Sequence, residues 1–188
     1  MPQLQTIALD GNTLQESVPG EIFQIPALTK LSLGTNSLVG AIPTGVGRAL
    51  SLTSLILENN LFVGDVPTEL NQLTRLSMLS LAGNKMLTGR IATEYGLFTS
   101  LQTLSLSDTD IRARIPTQYA ALTRLRELRI ANTLVGGNIP SGFEKLTSLS
   151  IIDFSGSRFR QSIPTFMGQL TALSKFSFLG TLPLDDWY

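Results

Sequence analysis

Four charged residues in the second half of the chain have types and spacings that could support recognition chemistry. Glu127 and Arg129 are two residues apart, Asp153 lies 24 residues after Arg129, and Lys175 follows further along. Opposite charges spaced in this way form either solvated cross-strand ion pairs, worth ~0.2–1 kcal/mol, or a polar patch that recognises a charged peptide or sugar. The residues alone leave both interpretations open.

Most forms of catalysis are excluded by the residue types that the chain lacks. It contains no Cys and no His, which rules out thiol nucleophiles, Cys/His zinc sites, disulfides and histidine bases. The acidic residues are spread singly, and the closest outward pair, Asp108 and Asp110, has no further ligands at metal-binding spacing. We therefore predict a protein that is not an enzyme and that uses no cofactor and no metal.

The charge balance and the apolar runs limit the classes of partner that the chain could bind. Lys plus Arg equals Asp plus Glu at 14 each, so the chain lacks the basic excess that nucleic-acid binding requires. The longest uncharged run, between Lys30 and Arg48, contains Gly, Asn and Pro and is too short to span a bilayer. The N-terminus does not resemble a signal peptide. The sequence is also compatible with a signal peptide that has already been removed.

A leucine-rich unit recurs along the chain, and it organises all of these residues. It reads L-x-x-L-x-L-x-x-N-x-L-x-G-x-I-P, followed by eight further residues. The units are 24 residues apart except for one interval of 25, where Lys85-Met86-Leu87 holds the extra residue. They begin at residues 4, 28, 52, 76, 101, 125, 149 and 173. Such a repeat predicts a stack of structural units that are stable only against their neighbours.

Each unit opens with an alternation of apolar and polar residues that predicts a short strand. In the third unit, Leu55 and Leu57 should point inward, whereas Ile56 and Glu58 should point outward. Further along each unit, a Pro precedes a short helical segment, and the hydroxyl residue after the Pro is predicted as its N-cap. These hydroxyl residues are Thr44, Thr68, Thr117, Ser141 and Thr165.

A polar column follows the strands and should satisfy backbone groups at the turns. It consists of Asn12, Asn36, Asn60 and Asn84 in the first half, and of Thr109, Thr133, Ser157 and Thr181 in the second. Because one hydroxyl satisfies fewer groups than an amide, we predict looser packing in the C-terminal half.

These motifs resemble the plant-type class of the leucine-rich repeat family. The resemblance implies an α/β repeat solenoid, a right-handed superhelix with a concave parallel β-sheet, short second-sheet strands on the flank and short 3-10 helices on the convex side. It implies one domain over 1–188, with seven complete repeats and a partial repeat and cap over 173–188. Trp187 should fold over the last unit, or else mediate end-to-end association of otherwise monomeric chains.

The resemblance also implies a partner, because family members mostly bind proteins or peptides, and some bind small hormones or glycans. It suggests a secreted or extracellular protein. The chain lacks the cap cysteines and glycosylation signals typical of that class, and their absence permits a cytoplasmic location as well. A naturally short member and a block of repeats from a longer chain both fit.

Ligand contacts in a solenoid concentrate on the outward residues of the sheet, which are free of packing. We therefore predict a recognition scaffold that binds a protein or peptide there. The candidate site residues are Lys30, Ile56, Glu58, Met78, Glu127, Arg129, Asp153 and Lys175. The alternative is a structural, cell-wall- or ice-associated protein that uses the Ser/Thr-rich face. The flank that carries Arg90, Arg112, Arg114 and Arg160 is either a solvated surface or a second candidate surface for an acidic partner or a membrane.

Overall fold

The computed structural model of the chain describes residues 2–160 and 163–178. Within them the repeated units form fourteen short parallel strands. In chain order these are β1 (Thr6–Ala8), β2 (Lys30–Ser32), β3 (Val39–Gly40), β4 (Ser54–Ile56), β5 (Leu61–Asp65), β6 (Met78–Ser80), β7 (Met86–Thr88), β8 (Thr103–Ser105), β9 (Arg112–Arg114), β10 (Glu127–Arg129), β11 (Leu134–Gly137), β12 (Ile151–Asp153), β13 (Arg158–Phe159) and β14 (Lys175–Ser177).

The main sheet contains eight of these strands, one from each unit, in the order β1-β2-β4-β6-β8-β10-β12-β14. Equivalent positions of successive units pair with each other, so that Leu128 lies between Leu104 and Ile152. The inward leucines are buried, and Leu55 and Leu57 are at most 1% exposed. Ile56 and Glu58 are partly exposed, which confirms the predicted orientation. The sheet forms because each unit can bury its leucines only against the next unit.

Short 3-10 helices form the opposite, convex side, as predicted. Seven lie in the described part of the chain: Gly20–Gln24, Thr44–Arg48, Thr68–Gln72, Thr93–Leu97, Thr117–Ala121, Ser141–Lys145 and Thr165–Gln169. Large side chains from this side, among them Phe23, Tyr119 and Phe143, complete the core.

The predicted N-caps are wrong. Thr44, Thr68, Thr117, Ser141 and Thr165 are each the first residue inside a helix, and none makes a side-chain capping hydrogen bond. The preceding proline takes the cap position, and its carbonyl accepts the first helical bond, as from the N–H of Val46 to the oxygen of Pro43 at 3.0 Å. Each helix is one tight turn, which closes through bonds between residues three apart.

The flank carries the remaining strands in two three-stranded sheets, β3-β5-β7 and β9-β11-β13. A single parallel bridge between Arg90 and Arg112 links them. The break falls beside the unit that contains the inserted residue. Flank strands pair with a stagger, so that Gly136 of β11 lies between Arg114 of β9 and Arg158 of β13.

The polar column satisfies backbone groups at the turns, as predicted, and its amides do so through a ladder of side-chain hydrogen bonds. The amide nitrogen of Asn60 donates to the carbonyls of Leu33, Leu57 and Glu58 at 2.9–3.1 Å, and its oxygen accepts from the N–H of Leu38 at 3.0 Å. Asn36 and Asn84 repeat this arrangement. Each amide therefore ties its own turn to the preceding unit.

The hydroxyl half of the column makes fewer bonds of this kind. The hydroxyl of Thr109 donates only to the carbonyl of Leu106, within its own unit, at 2.7 Å. Thr133 and Ser157 lie 3.1 Å apart and both donate to the carbonyl of Ile130. The last member, Thr181, and the predicted cap residue Trp187 lie outside the described residues.

Candidate ligand-binding face

All eight candidate site residues lie on or directly after the strands of the main sheet, on its concave face. Lys30 and Lys175, near the two ends, are exposed. The other six, namely Ile56, Glu58, Met78, Glu127, Arg129 and Asp153, are partly exposed. The candidate residues thus lie on one continuous face. Because side chains alternate between the two faces of a strand, every second residue points to the concave face.

A notch lies at the centre of this face. Ile56, Ser80, Ser105 and Arg129 are direct neighbours in one row across β4, β6, β8 and β10. Ser80 is 4% exposed and Ser105 is 8% exposed, so that the two small side chains form a floor below their larger neighbours. With strands ~4.8 Å apart, Ile56 and Arg129 stand about 14 Å from each other along the row. The floor was not among the predicted site residues, although a pair of serines between larger side chains was the available signal.

The four charged residues form two separate ion pairs. The Arg129 guanidinium contacts the Glu127 carboxylate through Nη2 at 3.0 Å and Nε at 3.2 Å. The Lys175 ammonium lies 3.6 Å from the Asp153 carboxylate. Arg129 and Asp153 are neighbours in the sheet, yet Arg129 turns to the carboxylate on its own strand. Each pair is neutral, which leaves the C-terminal part of the face polar but uncharged overall.

The Asp153 carboxylate has two neighbouring partners, Ser155 and Lys175. Partial burial raises its pKa, but hydrogen bonds from the hydroxyl and the N–H of Ser155, together with the charge of Lys175, outweigh burial and lower the pKa below its ordinary value. Hydrogen bonds to the charged form of a carboxyl group always act in this direction. Asp153 is therefore ionised at neutral pH.

Two further serine hydroxyls of the concave face are also bonded to carboxylates. Ser32 donates to Asp10, and Ser80 donates to Glu58. The same Asp10 oxygen accepts from the N–H of Gly34 at 2.9 Å. These bonds orient Asp10 and Glu58 along the sheet, and they leave fewer hydroxyls free to order water.

The described residues contain no group of three or more His, Cys, Asp or Glu side chains that could hold a metal ion. Over the same residues, no helix has the length and apolar character needed to cross a bilayer.

No protein-family model matches the chain, and no curated protein matches it either. Solved structures do. The leucine-rich repeat ectodomain of the Arabidopsis thaliana receptor kinase GASSHO1/SCHENGEN3, in complex with CASPARIAN STRIP INTEGRITY FACTOR 2, is 27% identical with a TM-score of 0.88, over 93% of this chain and 21% of that chain. The chain is a plant-type leucine-rich repeat protein.

Other solved structures resemble this leucine-rich repeat protein to a similar degree. Arabidopsis HAESA, in complex with the peptide hormone IDA and the co-receptor SERK1, is 28% identical with a TM-score of 0.86, over 95% of this chain and 30% of that chain. A plant ice-binding protein is 26% identical with a TM-score of 0.78, over 94% of this chain and 56% of that chain. The leucine-rich repeat protein therefore spans about a fifth to a third of the two receptor chains.

Proposed function

We propose that the protein is a non-catalytic recognition module that holds a peptide segment of a partner protein across its concave face. The observation that carries this proposal is the row of Ile56, Ser80, Ser105 and Arg129. A low floor between a branched apolar side chain and a guanidinium admits a peptide backbone and offers a different contact at each end. Arg side chains that recognise anionic groups are frequent anchors in interfaces.

The surrounding residues extend this notch in both directions. Met78 lies on the neighbouring strand β6 and adds an apolar contact, and Glu58, two residues after Ile56 in the same unit, adds an acidic one. On the other side, Glu127 holds Arg129 in place at 3.0 Å, so that the guanidinium is oriented before a ligand arrives. Lys30 and the Asp153–Lys175 pair lie further out and serve as the polar rim of the same surface.

The similar structures support a peptide ligand in particular. HAESA was solved with a peptide hormone, and GASSHO1/SCHENGEN3 with CASPARIAN STRIP INTEGRITY FACTOR 2. Both use the repeat architecture found in this chain, and an eight-stranded sheet offers an extended surface of the same kind.

A peptide library tests the proposal directly. Random peptides are selected on the protein, and their affinities are compared for wild type, for Ile56→Asp/Arg129→Glu and for the control Leu97→Asp/Arg124→Glu. Leu97 is 61% exposed on the convex side and Arg124 is also exposed, so the control makes the same chemical changes elsewhere. We expect the concave variant to lose about tenfold or more in affinity, and the control to bind as wild type does. Selected peptides that bind both variants alike would overturn the proposal.

An ice-associated role is the second candidate, and the similarity to a plant ice-binding protein favours it. It would use an array of outward hydroxyls at the strand spacing. The bonds of Ser32 to Asp10 and of Ser80 to Glu58 interrupt that array, which is why we place peptide binding first. Thermal hysteresis in a solution of the purified protein would place ice binding ahead of peptide binding.

A further inference from the structure

The flank carries a row of arginines that the concave-face function does not use. We propose that this row, centred on Arg114, is a binding groove for a linear anionic polysaccharide. The shared chemistry of its ligands is a sulfate or carboxylate group on successive sugars. The groove lies on the β9-β11-β13 sheet, and its function is independent of any ligand on the concave face.

The first observation is the register of the arginines. Arg90 and Arg112 are direct Cα partners in the bridge between the two flank sheets. Arg114, two residues after Arg112 in β9, pairs with Gly136, which in turn pairs with Arg158. Cationic side chains therefore recur along the flank over about three strand spacings, or roughly 14 Å.

The second observation is that acidic residues are missing from the groove. One part of it, of about 480 Å³, is lined by Arg90, Arg114 and Gln118 among others, and an adjoining part of about 290 Å³ by Arg114, Arg158 and Arg160. Among the described residues, neither part is lined by Asp or Glu. In the part of the chain that the structure describes, Arg90, Arg112 and Arg114 form no ion pair, and this holds even for Arg112 with the nearby Asp110.

Two arginines in register without a counterion are unfavourable on their own, because like charges directly opposite each other in a sheet destabilise it. An anion between them would remove that repulsion. Guanidinium groups also bind sulfate and carboxylate through two parallel N–H···O bonds. Arg158 and Arg160 have interactions of their own and border the far end of the groove, so the proposal rests on Arg90 and Arg114, which line it, and on Arg112, which lies beside Arg90 at its N-terminal edge.

Glycines shape the groove around Arg114. The aliphatic part of the Arg114 side chain lies across Gly137, where an added Cβ would be 2.9 Å from its Cγ and 3.1 Å from its Cδ. Gly136 leaves no side chain between Arg114 and Arg158. Arg114 is therefore laid along the groove rather than away from it, which lowers the entropy lost on binding.

The form of the groove favours a polysaccharide over a peptide or a nucleic acid. The described residues that line it include no aromatic side chain, and aromatic side chains usually anchor peptides and stack on bases. Toward the N-terminus a cavity of about 710 Å³ carries Asp65, Glu69 and Glu94 beside Arg90 and Arg112. These carboxylates limit the anionic stretch to a few sugars on the C-terminal side.

Calorimetric titration with defined oligosaccharides tests this inference. The probes are a heparin oligosaccharide for sulfate, a hyaluronate oligosaccharide for carboxylate, and a polyglutamate peptide. The test variant is Arg90→Gln/Arg112→Gln/Arg114→Gln. The control is Arg48→Gln/Arg75→Gln/Arg124→Gln, which removes the same three charges from other exposed positions. Circular dichroism checks that both variants fold.

We expect at least one oligosaccharide to bind, more weakly as salt is added, and the flank variant to lose about 100-fold in affinity from several charge-assisted bonds. The control should lose less than about threefold, and the responding probe identifies the anion. An equal loss in both variants would show non-specific attraction and overturn the proposal, as would the absence of binding. Tighter, arginine-dependent binding of polyglutamate would replace the polysaccharide by an acidic peptide.

Discussion

The Arg114 side chain lies across Gly137, and there is no room for a methyl group between them. An added Cβ at Gly137 would be 2.9 Å from the Arg114 Cγ, and the backbone there has a φ of +85°. The glycine thus meets two requirements, one for backbone conformation and one for space.

The two requirements can be separated by mutation. Gly64 occupies the equivalent position three units earlier, has a φ of +77° and has nothing within 4 Å of its hypothetical Cβ. We expect Gly64→Ala to lower the free energy of unfolding by about 1–2 kcal/mol, and Gly137→Ala to lower it further. Arg114→Ala should recover the additional loss in the Gly137→Ala background. Equal costs for the two glycines in urea denaturation would contradict the steric role of Arg114.

Ala113 occupies this same glycine position in its own unit and has a φ of +114°. Gly40, Gly64 and Gly89 take it in the preceding units. We expect Ala113→Gly to stabilise the protein by about 0.5–1 kcal/mol, because relief of the strained backbone exceeds the added entropy of the unfolded chain. The matched control is Ala41→Gly, an exposed flank residue without a positive φ, which should lose stability. Thermal denaturation of both variants should show a higher midpoint temperature than wild type for Ala113→Gly and a lower one for Ala41→Gly.

The Asn ladder should make the N-terminal half the more stable one. Asn60→Ala leaves three carbonyls and the N–H of Leu38 without their side-chain partner and should cost about 3 kcal/mol or more. Thr109→Val removes one bond, to the Leu106 carbonyl, and should cost about 1 kcal/mol. Amide hydrogen exchange of the wild type should show the C-terminal units opening first. Earlier opening of the N-terminal units would argue against the ladder as the cause.

Acid should weaken the contribution of Asp153. Its pKa is lower in the folded than in the unfolded protein, whose ordinary value is 3.8, so the unfolded state binds more protons and stability rises with pH. The contribution is fully present above the unfolded pKa and is lost as pH falls through the folded one. Wild type should therefore exceed Asp153→Asn in stability at pH 7, by less than about 1 kcal/mol for so exposed a pair. Urea denaturation at pH 7 and near pH 2 should show that the difference in unfolding free energy between wild type and Asp153→Asn disappears at low pH. A difference that persists near pH 2 would refute the lowered pKa of Asp153 as its cause.

The repeat pattern alone was enough to predict stacked units, short helices after each proline and the orientation of residues such as Leu55 and Ile56, and the resemblance to the leucine-rich repeat family added the solenoid with 3-10 helices on its convex side. This is because side chains alternate along a strand, and a 24-residue unit that cannot bury its leucines alone must stack in phase with its neighbours. The same in-phase stacking made the Asn60 ladder predictable, since equivalent residues of successive units lie side by side.

The pairing of individual side chains depended on the tertiary structure. Arg129 bonds to Glu127 on its own strand although Asp153 is its neighbour in the sheet, because Asp153 is already held by Ser155 and Lys175. The stagger of the flank strands, which brings Arg114 beside Gly136, has no local signal in the sequence. The repeat period and the burial of the leucines are the same in every unit, so both can be predicted from the sequence pattern. Side-chain rotamers and the register of the flank strands arise from contacts between units that differ in sequence.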